Sequence, residues 1–429
     1  MSSTVQYTDM KDSGIKWVGS VPSHWHLHTL YQLATQVKNK NSDLREKNLL
    51  SLSYGKIKRK DINTNDGLLP ASFDGYNVIE AGDIVLRLTD LQNDHTSLRV
   101  GQATERGIIT SAYTTLRPIN PAHSRYLYYL IHAFDLKKGF YGMGSGVRQG
   151  LNYDEVKELR VVIPSQKEQN AIVAYLDDVC QQIDLIIDEA KASIDEYKKW
   201  RSATIFEAVT KGIRSSVDMQ PCTLEAVDSI PAHWDTRAIK YLATCNDEVL
   251  PENTDAGFCF NYIDIGSVKY GEGITQLQPT AFSEAPSRAR RVVQQNDVII
   301  STVRTYLKAV AIIGKFEEPQ IVSTGFAVLR PFNVNPDFLY YAVMSDNFIC
   351  KVEASSVGMS YPAINASEIM SFKIPLPPKE EQTQIAAYLN QKCGYISQLV
   401  SEKNSLIDEL ENFKRALIYE TVTGKRKVV

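Results

Sequence analysis

The stretch Pro164–Asp178 reads PSQKEQNAIVAYLDD, and Pro377–Gln391 reads PPKEEQTQIAAYLNQ. Glu168, Gln169, Ile172, Ala174, Tyr175 and Leu176 return 213 positions later as Glu381, Gln382, Ile385, Ala387, Tyr388 and Leu389. Working outward, FEAVTKG (Phe206–Gly212) is answered by YETVTGK (Tyr419–Lys425) at the same offset of 213. VPSHWHLHTLYQLAT (Val21–Thr35) is answered by IPAHWDTRAIKYLAT (Ile230–Thr244), where Pro22, His24, Trp25, Leu33, Ala34 and Thr35 recur 209 positions on. LRPIN (Leu116–Asn120) returns as LRPFN (Leu329–Asn333). The signposts keep their order, so the 429 residues are one plan used twice. Between them the halves diverge: LLSLSYGKIKRKDINTNDG (Leu49–Gly67) and FNYIDIGSVKYGEGITQL (Phe260–Leu277) share little beyond apolar alternation. A common frame carries two different surfaces.

The shared segments read as long helices. From Ile172 a seam runs through Leu176, Val179, Ile183, Ile186, Ala190, Ser193, Tyr197 and Trp200; from Ile385 it runs through Leu389, Ile396, Leu399, Leu406, Leu410, Phe413 and Leu417. Steps of three and four make this a heptad stripe, which Lys392 and Lys403 interrupt. Pro164 and Pro377–Pro378 precede the helices, and Gly212 and Gly424 follow them. Forty-odd residues at about 1.5 Å each give a rod of roughly 65 Å. Two exposed stripes in duplicated halves should pack on each other, antiparallel; two separate core helices is the plainer alternative. The variable parts read as mixed α/β. GDIVLRL (Gly82–Leu88), NDVIISTV (Asn296–Val303) and AVAIIG (Ala309–Gly314) have strand character between turn residues, and SRYLYYLIHAF and PDFLYYAVMSD read as short helices. The expected class is therefore α+β: two mixed α/β domains at 1–163 and 215–376, and two helical segments at 164–214 and 377–429.

Hydrophobic residues make up 43% and charged residues 23%, as in an ordinary globular protein. A net charge of −3 excludes a uniformly basic nucleic-acid binder but not a segregated basic face. Basic residues do cluster in the variable parts. Lys38, Lys40, Arg45, Lys47, Lys56, Lys58, Arg59 and Lys60 stand against Asp43 and Glu46, while Arg288, Arg290, Arg291, Arg304 and Lys308 stand against Glu284 and Asp297. Such patches are the footprint of phosphate contacts, though a solvated face is the commoner meaning of any one of them. GFYGMGSGVRQGLN (Gly139–Asn152) and EASSVGMSYPAIN (Glu353–Asn365) are loops in corresponding places. Candidate DNA contacts are Lys56, Lys58, Arg59, Lys60, Arg87, Arg148 and Gln149 in the first half, and Arg290, Arg291, Arg304, Lys308, Ser360 and Tyr361 in the second.

Searches for chemistry give near-misses. AVAIIGKF (Ala309–Phe316) resembles a phosphate-binding loop but carries Phe316 where magnesium needs Ser or Thr. His24, His26 and His28 sit on one side of a possible strand, yet only His24 has a counterpart in the other half. Six scattered cysteines without a C-x-x-C pair suit free thiols in a reducing cytoplasm. No apolar run approaches the ~20 residues of a membrane span. No metal site is expected.

GIKWVGSVPSHW (Gly14–Trp25), IPSQKEQNAIVAYL (Ile163–Leu176), SIPAHW (Ser229–Trp234) and PLPPKEEQTQIAAYL (Pro375–Leu389), in that order, resemble the specificity subunit of a type I restriction–modification system across essentially the whole chain. The resemblance implies that each variable region is a target recognition domain reading one half of a bipartite double-stranded DNA site. It implies that the shared helices form an antiparallel coiled coil. That coil separates the readers and docks two modification (methyltransferase) subunits, through which ATP-dependent restriction subunits join. S-adenosylmethionine, ATP and magnesium then belong to the partners, and this chain holds no catalytic residues. The rival expectations are an enzyme acting alone and a coiled-coil scaffold that does not bind DNA.

Overall fold

The computed structural model describes residues 6–63, 70–143 and 150–428. The chain gathers into two compact units, Met1–Glu189 with Leu406–Val429, and Ala190–Ser405. Each unit holds one variable region. The two long helices are Gln166–Lys211 and Lys379–Val422, and each unit takes part of both. The boundaries of the two compact units fall inside the segments 164–214 and 377–429, so the units cut across the four segments read from the sequence.

The first unit is built on an antiparallel sheet in the order Ala34–Gln36, Thr114–Pro118, Ile84–Leu86, Val100–Gln102. The second repeats it as Ala243–Cys245, Phe326–Pro331, Val298–Ser301, Val310–Ile312. Ile84, Val85 and Leu86 are all buried, as are Val298, Ile299 and Ile300, so these runs are central strands covered on both faces. The turn before each such strand needs a left-handed residue, supplied by Gly82 (φ 92°) in one unit and Asn296 (φ 72°) in the other. Each turn ends in a buried aspartate that takes a forked pair of bonds from an arginine. Arg117 Nε and Nη2 reach Asp83 at 2.8 and 2.6 Å, and Arg330 reaches Asp297 at 3.1 and 3.0 Å. The helices Ser124–Leu136 and Pro336–Met344 lie at the expected places. The second unit adds a four-stranded sheet, Gln278–Ala281, Cys259–Ile263, Gln320–Ser323, Ala289–Val292, with one parallel pair. The first unit has two separate strand pairs instead, Leu50–Ser53 with Lys56–Arg59 and Asn77–Ile79 with Gly107–Ile109.

The repeated opening motif is a clamp on the start of a long helix. His24 Nε2 lies 2.9 Å and Trp25 Nε1 3.4 Å from Glu168 Oε1. In the second unit His233 Nε2 and Trp234 Nε1 each lie 2.8 Å from the Glu381 carboxylate. Burial alone would raise both carboxyls. For Glu168, hydrogen bonds from His24, Ser165 and Trp25 outweigh it, and for Glu381 those from Trp234 and His233 do, so both are held below the usual range. The neighbouring glutamines complete the clamp. Gln169 Nε2 donates to Pro164 O at 2.9 Å and Gln382 Nε2 to Pro377 O at 2.8 Å. The far end of the other long helix closes on the same tryptophan in each unit. A Cβ on Gly424 would meet Pro22 at 2.3 Å and Trp25 at 3.3 Å, and one on Gly212 would meet Trp234 at 3.2 Å.

Along the first long helix the buried residues include Ile172, Leu176, Cys180, Ile183, Ile187, Ala190 and Ile194; along the second they include Ile385, Leu389, Cys393, Ile396, Ile407 and Leu417. The seam therefore runs one residue later than the sequence reading in places. Ile186 is 45% exposed, Leu406 36% and Phe413 49%. Val179, Tyr197, Leu399 and Leu410 are half-buried. Where two apolar residues adjoin, as in Ile186–Ile187 and Leu406–Ile407, the helix phase decides which turns inward. Elsewhere a polar residue takes the inner place. Arg201 is buried beside exposed Trp200 and donates to Gly271 O at 2.6 Å, and Lys414, half-buried beside Phe413, donates to Asp184 at 2.6 Å. Buried charge is tolerated where such partners compensate it.

Candidate nucleic-acid interface

In the second unit, strand Val298–Ser301 runs into a short loop containing the turn Thr305–Leu307. Arg304 and Lys308 flank that turn, both at φ 52°, a conformation costly for long side chains and concentrated at functional sites. The loop is held by a second one, Ser356–Ala363. Arg304 N donates to Pro362 O at 2.7 Å, Ile364 N to Thr302 O at 2.9 Å, and Thr305 Oγ1 to Ser356 Oγ at 2.9 Å. Two stretches that were only separate candidates in the sequence thereby form one surface. The Arg304 guanidinium sits 5.2 Å from the Tyr361 ring centroid, and Lys308 Nζ lies 3.7 Å from the Glu353 carboxylate. Tyr306, Met359, Ser360 and Tyr361 are exposed around them. A cation over an exposed aromatic ring, with a hydroxyl beside it, suits phosphate and base-edge contacts.

The first unit builds the corresponding pair. Strand Ile84–Leu86 leads into residues 87–99, and Leu151 N donates to Leu88 O at 2.9 Å, as Ile364 does to Thr302. Arg87 is half-buried with Asp94 at 3.5 Å. Arg148 and Gln149 lie outside the described residues. The basic cluster Lys56–Lys60 is a separate hairpin. There Lys58 is exposed and has no ion-pair partner among the described residues, Arg59 grips Glu105 with Nε at 2.7 Å, Lys56 lies 3.8 Å from Asp184, and Lys60 is half-buried. In the second unit Arg290 lies 4.7 Å from the Phe282 ring centroid. Arg291 has a buried Nε without a partner, and burial lowers its pKa. It is a poor display cation. The structure thus joins Arg304, Lys308, Ser360 and Tyr361 into one surface and disperses the other candidates among the described residues. Sequence reasoning missed Tyr306 and the fully buried Arg99. The one hint of the latter was a lone charge against an apolar strand in TSLRV.

A cleft of about 710 Å³ in the first unit is lined by Tyr54, Arg125, His132, Asp177, Asp184 and Lys414 among others. Two ion pairs lie in it, Arg125 with Asp177 at 2.5 Å and Lys414 with Asp184 at 2.6 Å. Burial, with Lys414 and Arg125 nearby, pushes His132 down to about 4. Among the described residues no group of three or more His, Cys, Asp or Glu could hold a metal, and no helix is long and apolar enough to cross a membrane. His24 is committed to Glu168.

The frame matches a known family in both halves: the type I restriction modification DNA specificity domain, over residues 71–196 and 233–411. The chain belongs to that family. Its curated relatives are specificity subunits, the non-catalytic component of type I restriction systems. The MjaVIII specificity subunit of Methanocaldococcus jannaschii is 22% identical over 394 residues, covering 88% of this chain and 84% of that one. The EcoDI specificity subunit of Escherichia coli is 21% identical over 342 residues, 73% of each chain. A solved chain from work on complex assembly and conformational transition of the type I R-M system superposes with a TM-score of 0.65 at 16% identity, covering 94% of this chain and 98% of that chain. That likeness is one of fold, and the two-repeat mixed α/β architecture is common to both.

Proposed function

We propose that the chain is the DNA-recognition subunit of a type I restriction–modification complex and reads a bipartite target in double-stranded DNA. Residues 1–163 and 215–376 are the two readers, one half-site each. The helical segments 164–214 and 377–429 form an antiparallel coiled coil that sets the spacing of the half-sites and docks two modification subunits, to which restriction subunits add. S-adenosylmethionine, ATP and magnesium serve those partners. One observation carries the reading: the same clamp, sheet and Asp–Arg fork recur in both units, while the loop pairs they hold differ in length and chemistry. A frame kept constant under two different surfaces suits two different sequences read by one mechanism. Linking two modest readers raises affinity by effective concentration. Exposed Ile186, Trp200 and Phe413 leave apolar surface on the helices for partner subunits.

The test is selection from randomised duplexes by the full chain assembled with its modification subunits. The expected result is two short conserved blocks separated by a spacer of fixed length and free sequence. Removing one heptad from each long helix should change the spacer and keep both blocks. A single block, or no selection at all, would overturn the reading.

A further inference from the structure

The loop after the equivalent strand has very different lengths in the two units. Residues 302–309 join two strands in the second unit, and residues 87–99 do so in the first. The short loop is held by backbone pairing to its neighbour, with Val303 bridged to Ala363. The long loop has a different core. Arg99 is fully buried, and every N–H of its guanidinium is used. Nε donates to Tyr141 Oη at 3.0 Å, Nη1 to the carbonyls of Arg87 and Thr89 at 3.2 and 2.7 Å, and Nη2 to those of Asp90 and Asp94 at 3.1 and 2.5 Å. Tyr141 Oη in turn donates to Asp94 O at 2.8 Å, which ties the loop to Gly139–Gly142. Five donors meeting five acceptors leave no donor unsatisfied and only one backbone path for the loop.

The loop turns its apolar residue inward and its amides outward. Leu91 is buried, while Gln92, Asn93 and His95 are exposed. Asn93 is oriented by Nδ2 donating to Asp90 Oδ1 at 2.9 Å, and the His95 ring stacks on Tyr141 with centroids 5.1 Å apart. An amide on a fixed backbone is the group that bonds both N6 and N7 of adenine in the major groove. A flexible loop of this length would lose that discrimination to conformational entropy.

We propose that Arg99 is a positioning residue for base reading in the first unit, holding residues 87–99 so that Gln92 and Asn93 read A·T pairs of one half-site. This rests on the two-reader function above and names the residues by which one reader works. The test uses the full chain with its modification subunits and a randomised duplex library. Gln92→Ala and Asn93→Ala should each erase a preference of about ten-fold at one A·T position in one half-site, leaving the other half-site and the salt dependence of binding unchanged. Arg99→Met and Tyr141→Phe should flatten that half-site across several positions, and Arg99→Lys should not restore it, because an ammonium cannot reach five acceptors. Should Arg99→Met fail to fold, Tyr141→Phe and the two exposed amide variants decide the matter, since they remove little buried surface. Unchanged preferences in the amide variants would overturn the proposal while leaving a bipartite wild-type site, and hence the function, intact. A wild type that selects no bipartite site would instead overturn the function itself.

Discussion

Replacing Trp25 by alanine should unfold the first unit before it changes what the unit reads. The indole is completely buried, and its ring edge closes against the backbone at Gly424. A tryptophan buries roughly 200 Å² or more, which at about 25 cal/mol per Å² is worth about 5 kcal/mol. That is an upper figure, because the unfolded chain already hides some apolar surface. Large-to-small changes at aromatic core positions cost about 3–5 kcal/mol, in agreement. The lost Nε1 contact to Glu168 adds little, being long at 3.4 Å. Against a total stability of roughly 5–15 kcal/mol, a loss of about 3–5 kcal/mol removes a fifth or more. Trp25→Phe should retain about half of it. Urea denaturation of the full chain, followed by far-ultraviolet circular dichroism, measures the loss, and selection from randomised duplexes measures the reading. A Trp25→Ala protein within about 1 kcal/mol of wild type that nevertheless prefers a new half-site would refute the view that the opening motif is a clamp.

The remaining predictions concern charge and loops. Glu168 and Glu381 titrate below their usual value, so the stability they lend is present at neutral pH and lost as pH falls below about 4.5. Glu168→Gln and Glu381→Gln should each show a shallower acid transition in thermal melts. His132 is held down at about 4, so the folded state resists its protonation and loses stability as pH drops from about 6.5 towards 4. His132→Leu should lose less stability than wild type between pH 7 and pH 5; an identical slope would show that the imidazole does not govern it. Asp135, pushed up to about 6 by burial, acts the opposite way, and Asp135→Asn should gain stability relative to wild type as pH rises through 6. Tyr361→Ala should weaken DNA binding by about 1–2 kcal/mol at one half-site only, through loss of the ring beneath Arg304. Loss at both half-sites would place Tyr361 elsewhere in the mechanism.

The duplication, the strand runs and the long helices were legible because each leaves a periodic or repeated signal. Pairs such as Glu168 and Glu381 also stood out by offset, but their partners did not. That His24 and Trp25 share Glu168 across more than 140 residues is a fact of tertiary structure. The seam was misplaced at Ile186 and Leu406 because apolarity cannot choose between adjoining candidates. At Phe413 the inner residue was the charged Lys414, which only its bond to Asp184 explains. The surface around Arg304 and Tyr361 was visible as two fragments whose meeting depends on backbone pairing far apart in sequence. Arg99 was invisible as a candidate because a buried guanidinium and a DNA-binding one look alike in a string of letters.

The two units also differ in when they can exist. Ala190–Ser405 is one continuous stretch, whereas the other unit needs Leu406–Val429 to finish its core. Leu417, Ile418, Thr421 and Val422 are buried there, and Tyr126 Oη donates to Val422 O at 3.1 Å. On the ribosome the usual order is therefore reversed: the later half of the message can mature first, and the residues made at the start wait for the final helix. A nonsense mutation removing residues 406 onward would accordingly strike hardest at the domain encoded farthest from it.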